Sequence, residues 1–290
     1  NNCYFFLLCV IFLLQSRFGM ERHDSIATAL FNRYATRDAS EFKNNSAFPV
    51  KTNHSETFVI SLGEENPRWY AANERLQQAG FLAGEFRRWP AVDGKALSAD
   101  ANASQIIHPR TLYSLSHEPV CLYDIESWGT IGCYLSHWSI WKYVVDQGLD
   151  FAVVFEDDVV PRTDIFENQF PQVISSLIKE ARGTQNFDFM RMEWIDFNGA
   201  KIEPFSDNLN RSRGLVVNMC AYVVTNRGAK RLLAQAFPIN DPIDMYLTFL
   251  ERTDPSFISL LSKKILTVQD RRNFQSQIAT NQERRDRRES

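Results

Sequence analysis

The chain has 290 residues, a formal net charge of -3, and a composition that is 44% hydrophobic and 13% aromatic. This excludes general disorder and leaves apolar material for one substantial core, and the absence of net positive charge excludes the electrostatic footprint of a nucleic-acid binder. Outside an apolar leader only Cys121, Cys133 and Cys220 remain, so a disulfide-dense secreted scaffold is excluded as well.

Residues 1–16 hold a nearly unbroken apolar run from Cys3 to Leu14, sized for a signal-peptide core or the surviving end of a signal-anchor. Residues 17–55 are polar and Asn/Ser-rich, with a faint helical pattern at Ile26, Leu30 and Tyr34, and read as a stem. Residues 56–279 carry the periodic segments of a single domain, and 280–290 form a charged tail in which acids interrupt the arginines. Sequons begin at Asn44, Asn53, Asn102 and Asn210 and are usable only in a secretory lumen. The leader and sequons together predict entry into the secretory pathway, with a single-pass type II anchor as one form of it.

Thr57 to Leu62 reads as a buried strand, Arg68 to Ala79 as a helix, and Phe86 to Val92 as a second strand ending in Asp93-Gly94. From Gly129 to Gly148, Ile131, Leu135, Trp138, Trp141 and Val145 recur at helical spacing, which places both tryptophans in a core stripe. The third strand starts at Phe151 and runs into Glu156-Asp157-Asp158. A β, α, β, α, β order predicts an α/β fold with a mostly parallel central sheet, and acids at the carboxyl ends of its strands stand where such sheets place ligands. Further on, Phe187 to Trp194 and Leu215 to Val224 read as strands, Arg227 to Ala236 as a helix, Asp241 to Asp244 as the opening of another helix, and Ile265 to Val268 as a last strand.

Three adjacent carboxylates repel one another, so they are stable facing solvent or sharing a divalent cation. On an extended backbone Glu156 and Asp158 point to one side and Asp157 to the other. Glu156 and Asp158 are therefore the candidate metal ligands, and oxygen donors suit Mn²⁺ or Mg²⁺. All five histidines lie at or before position 137.

Five blocks, VISL at Val59 to Leu62, AVDGKAL at Ala91 to Leu97, IGCYLSHWSIW at Ile131 to Trp141, VVFEDDV at Val153 to Val159 and AYVVTNRGAKRLL at Ala221 to Leu233, together resemble glycosyltransferase family 25. That family includes bacterial lipooligosaccharide galactosyltransferases and procollagen galactosyltransferases. The resemblance implies a GT-A-like, metal-dependent, inverting transferase using a UDP-sugar, with galactose as the sugar and a glycan or protein hydroxyl as acceptor. It places Ser61, Arg68, Asp93, Gly132, Ser136, His137 and Asp157 as candidates for the nucleotide-sugar site. In the pattern Pro242-Ile243-Asp244-Met245-Tyr246-Leu247 it marks Asp244 as the candidate general base, and Ser276-Gln277-Ile278 resembles the family's S-x-I ending.

Several of these residues also have plain structural readings. Asp93 suits an Asp-Gly turn, His137 a core position on an apolar helix, and Asp244 a helix cap. Gly63-Glu64-Glu65 departs from the family's D-R-R, and Thr130 stands where the family has Glu. These departures keep open a degenerate relative that binds sugar nucleotide or glycan without turnover. A two-metal hydrolase is disfavoured, because no second dense His/Asp/Glu cluster is present in the sequence.

Overall fold

The computed structural model describes residues 21–35, 55–117, 124–184, 186–197 and 199–274. The leader, the charged tail, Cys121, the sequons at Asn44 and Asn53, and Ser276-Gln277-Ile278 lie outside them. The described part of the polar segment, 21–35, is helical over 21–34 (α1) and docks on the domain. Ala27 and Leu30 are buried in the core, and Tyr34 and Arg33 bond Asp100 at 2.9 and 2.6 Å. The Asp93 amide donates to the Tyr34 carbonyl, and Ala35 bridges Val92, so this helix braces the loop that carries Asp93.

β1 (Ser55–Ser61), α2 (Pro67–Gln78), β2 (Arg87–Pro90), α5 (Trp128–Asp146) and β3 (Phe151–Glu156) follow the sequence pattern within a residue or two, and between β2 and α5 lie two helices that the pattern did not announce, α3 (Gly94–Leu97) and α4 (Pro109–Ser116). Then come β4 (Val159–Pro161), α6 (Thr163–Phe166), α7 (Phe170–Thr184), β5 (Phe189–Arg191), β6 (Ile195–Asp196), β7 (Ile202–Pro204), β8 (Leu209–Ser212), β9 (Val216–Val217) and β10 (Ala221–Thr225). The domain closes with α8 (Asn226–Leu233), α9 (Ile243–Thr253), β11 (Ser259–Ser262) and β12 (Thr267–Gln269). The strand expected from Leu215 to Val224 is split, because Asn218 takes a left-handed backbone (φ 93°) that no sheet ladder accommodates.

Eight strands form one sheet in the order β2-β1-β3-β10-β5-β11-β8-β7. β1 pairs in parallel with β2 and β3, and β11 with β5, whereas β10, β8 and β7 run antiparallel to their neighbours. The sheet is therefore mixed, with β10 and β8 running against the common direction of the other strands. Residues 195–217 return by short turns, and short turns join antiparallel strands only; a parallel return needs a crossover such as α5.

Strand alternation divides the apolar residues between two layers. Ala152, Val154, Tyr222 and Val224 face a core with α5 and α8, and Val153, Phe155, Ala221 and Val223 face one with α2 and α7. α5 is apolar nearly all round and is buried accordingly, with Trp138 and Trp141 almost inaccessible. Both tryptophans are core residues, as their spacing predicts. Among the described residues no helix is long and apolar enough to cross a membrane.

The start of α5 presses on the loop after β2. Ser127 caps the helix by accepting from the Thr130 amide at 3.2 Å. A Cβ on Gly132 would lie 2.6 Å from the Val92 carbonyl oxygen and 2.9 Å from the Gly94 nitrogen, both backbone atoms that cannot step aside. Gly132→Ala is expected to lower stability by about 1–3 kcal/mol, the range for overpacking a tight contact. A denaturant midpoint equal to that of the parent chain would show that this contact yields freely.

Candidate active site

The order of β2, β1 and β3 reverses direction at β1, and the crevice outside the carboxyl ends of such strands is where α/β sheets take ligands. A cavity of about 590 Å³ lies there. One wall is Ser61, Val92 and Asp93 from the ends of β1 and β2, the opposite wall is Glu156, Asp157 and Asp158 from the end of β3, and the first turn of α5 forms the floor. Gln269 and Arg271 arrive from the far end of the chain because β12 pairs with β4, immediately beyond the acids.

The acids are organised by Arg68. Asn66 caps α2 and Pro67 starts it, which aims the Arg68 side chain into the crevice. Its Nε donates to Asp157 at 2.6 Å and its Nη2 pairs with Asp158 at 3.1 Å, while the guanidinium lies 5.4 Å from the Phe274 ring centre. Strand alternation stops at Glu156, because 157 and 158 form a turn, so Asp157 and Asp158 share one arginine rather than facing apart. Asp157 is buried and built into the fold.

Glu156, partly exposed, points to α5. His137 Nε2 lies 3.2 Å from its Oε1, Cys133 Sγ lies 3.9 Å from the same oxygen, and Gln269 donates to its Oε2 at 3.3 Å. Its carboxyl is subject to burial, which raises it, but the His137 hydrogen bond and charge, then Arg68 and Arg271, hold it below the ordinary range. Asp158 differs: burial, and then the Glu156 charge, push it up to about 6 against the pull of Arg68. The donor atoms of Glu156, Asp158 and Cys220 come within 4.8 Å of one another. Two carboxylates at that spacing with negative charge incompletely offset fit a hard divalent cation, so the donor set is compatible with Mn²⁺ or Mg²⁺.

The remaining candidates fall into two groups. Asp93 lines the crevice and caps α3, accepting from the amides of Lys95 at 2.8 Å and Ala96 at 3.4 Å. Ser136 accepts from the Val92 amide at 2.9 Å and donates to the Gly132 carbonyl at 2.7 Å, so it fixes the loop that carries Asp93. His137 is fully buried, with Nδ1 2.9 Å from the Tyr222 hydroxyl. Gly132 contributes the close approach described above.

Asp244 stands apart from the cavity wall, in the first turn of α9, with Oδ1 accepting from the Met245 amide at 2.8 Å. Burial raises its carboxyl, opposed by the amides of Met245 and Asn218. Its charge reaches Cys133, which does line the cavity.

Glu193, which with Asp241 is the alternative to Asp244 for the base role, lies beside this group. It is buried after β5, its Oε1 accepting from Asn218 at 2.8 Å and its Oε2 from Thr267 at 3.2 Å, and burial pushes it up to about 7 against the Thr267 hydrogen bond. A carboxyl raised on folding binds its proton more tightly in the folded chain. Its contribution to stability is thus complete below the ordinary value of 4.5 and lost as pH rises through about 7. Glu193→Gln is expected to remove roughly 2–3 kcal/mol of that decline, measured as unfolding free energy between pH 5 and 8. Parallel pH profiles for the two proteins would contradict this.

Fold and crevice define an α/β protein with a polar, acid-walled binding site at the switch point of its sheet. The sequence model described as "Glycosyltransferase family 25 (LPS biosynthesis protein)" matches residues 54–247, and the chain belongs to this family. It is 28% identical over 204 residues to a Drosophila melanogaster protein named "Glycosyltransferase 25 family member", covering 69% of this chain and 31% of the fly protein. It is 28% identical over 219 residues to human "Procollagen galactosyltransferase 2", covering 72% of this chain and 32% of that one. With the rat "Probable inactive glycosyltransferase 25 family member 3" it shares 30% identity over 216 residues, or 72% and 35% of the two chains. The chain thus spans about a third of the length of these relatives.

Proposed function

We propose that this chain transfers a hexose, galactose, from a UDP-sugar to a hydroxyl of a glycan or protein acceptor in the secretory lumen, with inversion and a GT-A-like arrangement of the site. The observation that carries this reading is the switch-point crevice, which sets Asp93 opposite Glu156 and Asp158 in a space of about 590 Å³. The relatives named procollagen galactosyltransferases support the sugar and a protein acceptor. The leader composition and the exposed sequon at Asn102 support the compartment.

In this reading Asp93 hydrogen-bonds the uridine ribose or base, and Ser61 and the first turn of α5 lie along the diphosphate. Glu156 and Asp158 would hold Mn²⁺ or Mg²⁺, which when bound offsets the negative charge gained by departing UDP. Arg68 opposes the burial that raises the Asp157 and Asp158 carboxyls and holds both in place. Asp244 takes the proton of the acceptor hydroxyl as the sugar carbon is attacked from the face opposite UDP.

A second reading is a binding protein without turnover. It is favoured by Arg68, a cation already paired with two of the three acids, by Thr130 and the Gly63-Glu64-Glu65 loop, and by relatives whose names call them inactive. UDP release from a panel of UDP-sugars, with and without acceptor glycans or peptides, separates the two. Acceptor-stimulated release from one UDP-sugar is expected; tight nucleotide binding with no release from any sugar would establish the second reading.

A further inference from the structure

Cys133 and His137 lie four residues apart on one face of α5, and the end of β3 brings Glu156 to the same face. Their donor atoms all fall within 4.8 Å of one another, with His137 Nε2 at 3.2 Å and Cys133 Sγ at 3.9 Å from Glu156 Oε1. A tetrahedral zinc ion with N, O and S ligands at about 2.0–2.3 Å spaces its donors by roughly 3.3–3.8 Å, and the two contacts to Glu156 Oε1 fall close to that spacing.

The ligands are also held from behind. The Tyr222 hydroxyl lies 2.9 Å from His137 Nδ1, and Gln269 engages the Glu156 oxygen that faces away from the histidine. A sulfur and an imidazole nitrogen make this a borderline-soft donor set, unlike the all-oxygen pair needed by Mn²⁺ or Mg²⁺.

We propose that Cys133, His137 and Glu156 form a site for a thiophilic divalent cation of zinc's class, with its fourth position open to the crevice. Binding forms Zn–S, Zn–N and Zn–O bonds. The Cys133 thiol proton passes to solvent, as does the proton that His137 Nε2 shares with Glu156, and Nε2 coordinates as a neutral imidazole whose Nδ1–H donates to the Tyr222 oxygen. Because Glu156 serves both this ion and the hard cation proposed above, zinc occupancy withdraws one oxygen ligand from the transfer site and restrains activity.

Cobalt(II) reports such a site directly, without nucleotide or turnover, and so independently of the transferase reading. The full chain in a thiol-free reductant is expected to develop a near-ultraviolet thiolate-to-cobalt band and intense visible bands of tetrahedral Co²⁺ that zinc bleaches. The thiolate band should persist in Asp158→Asn, Cys121→Ser and Cys220→Ser. In Cys133→Ser it should vanish, with zinc binding weaker by about a hundredfold. A thiolate band absent from the folded parent chain, retained in Cys133→Ser or lost with Cys220→Ser overturns the proposal. Should Cys133→Ser fail to fold, the variant with Cys3, Cys9, Cys121 and Cys220 all changed to Ser decides: the band present supports the site, and the band absent overturns it.

Discussion

Asp158→Ala is expected to abolish transfer and to remove the dependence of UDP affinity on Mn²⁺ while leaving the protein folded. Asp158 sits at the point where burial and the Glu156 charge act together, so its ionised form lacks a full counter-charge even with Arg68 beside it. A divalent cation supplies that charge, and alanine removes both the demand and the ligand. Loss of the Arg68 pairing is the competing explanation, and Asp157→Asn controls for it because Asp157 holds the same guanidinium at 2.6 Å. Transfer at near-parent rates in EDTA, or full activity in Asp158→Ala, would falsify the assignment.

Asp244→Asn carries the second large expected effect, a loss of about 10² to 10⁴ in turnover with donor affinity unchanged. Asparagine preserves shape and can still accept from the Met245 amide, but it cannot take a proton. A capping role predicts near-neutrality instead, since Asn serves a helix N-terminus about as well as Asp. The geometry sharpens the comparison. Asp244 is the second residue of α9 and Pro242 stands at the cap position, while the Asp244 carboxylate accepts from the Met245 amide within that first turn. Turnover measured at saturating UDP-sugar, with calorimetric UDP affinity, decides between them. If turnover is unchanged, Glu193 is next, although both of its oxygens are already engaged by Asn218 and Thr267.

The elements that build the crevice were legible because each carries its own pattern. β1 and β3 are apolar runs buried on both faces, α5 shows a helical stripe between glycines, and the acids interrupt β3 where it leaves the core. What the sequence concealed depends on partners distant along the chain. β8 (LNRS) and β7 (IEP) have no alternating apolar signature and become strands only because β11 offers an edge. The i, i+4 spacing of Cys133 and His137 was visible, but their meeting with Glu156 requires the register of β1 and β3 under α5. Alternation could not be carried past Glu156 because the turn there is a tertiary choice, fixed by Arg68 and by the β12–β4 pairing. Glu193 lies in the strand expected from Phe187 to Trp194, but its engagement depends on Asn218, whose left-handed backbone turns a side-chain amide toward it.

The crevice is assembled from remote parts of the chain. Gln269 reaches Glu156 across 113 residues, and Arg75, whose guanidinium shares the Phe274 ring with Arg68, pairs with Asp270 across 195. Closing loops of that length costs entropy before any contact is gained, so the parallel β1–β3 ladder and the helices around it can form while the acids remain uncovered. A chain ending before residue 267 is therefore expected to keep the β1–β3 ladder while lacking Gln269 and Arg271 beside its acids.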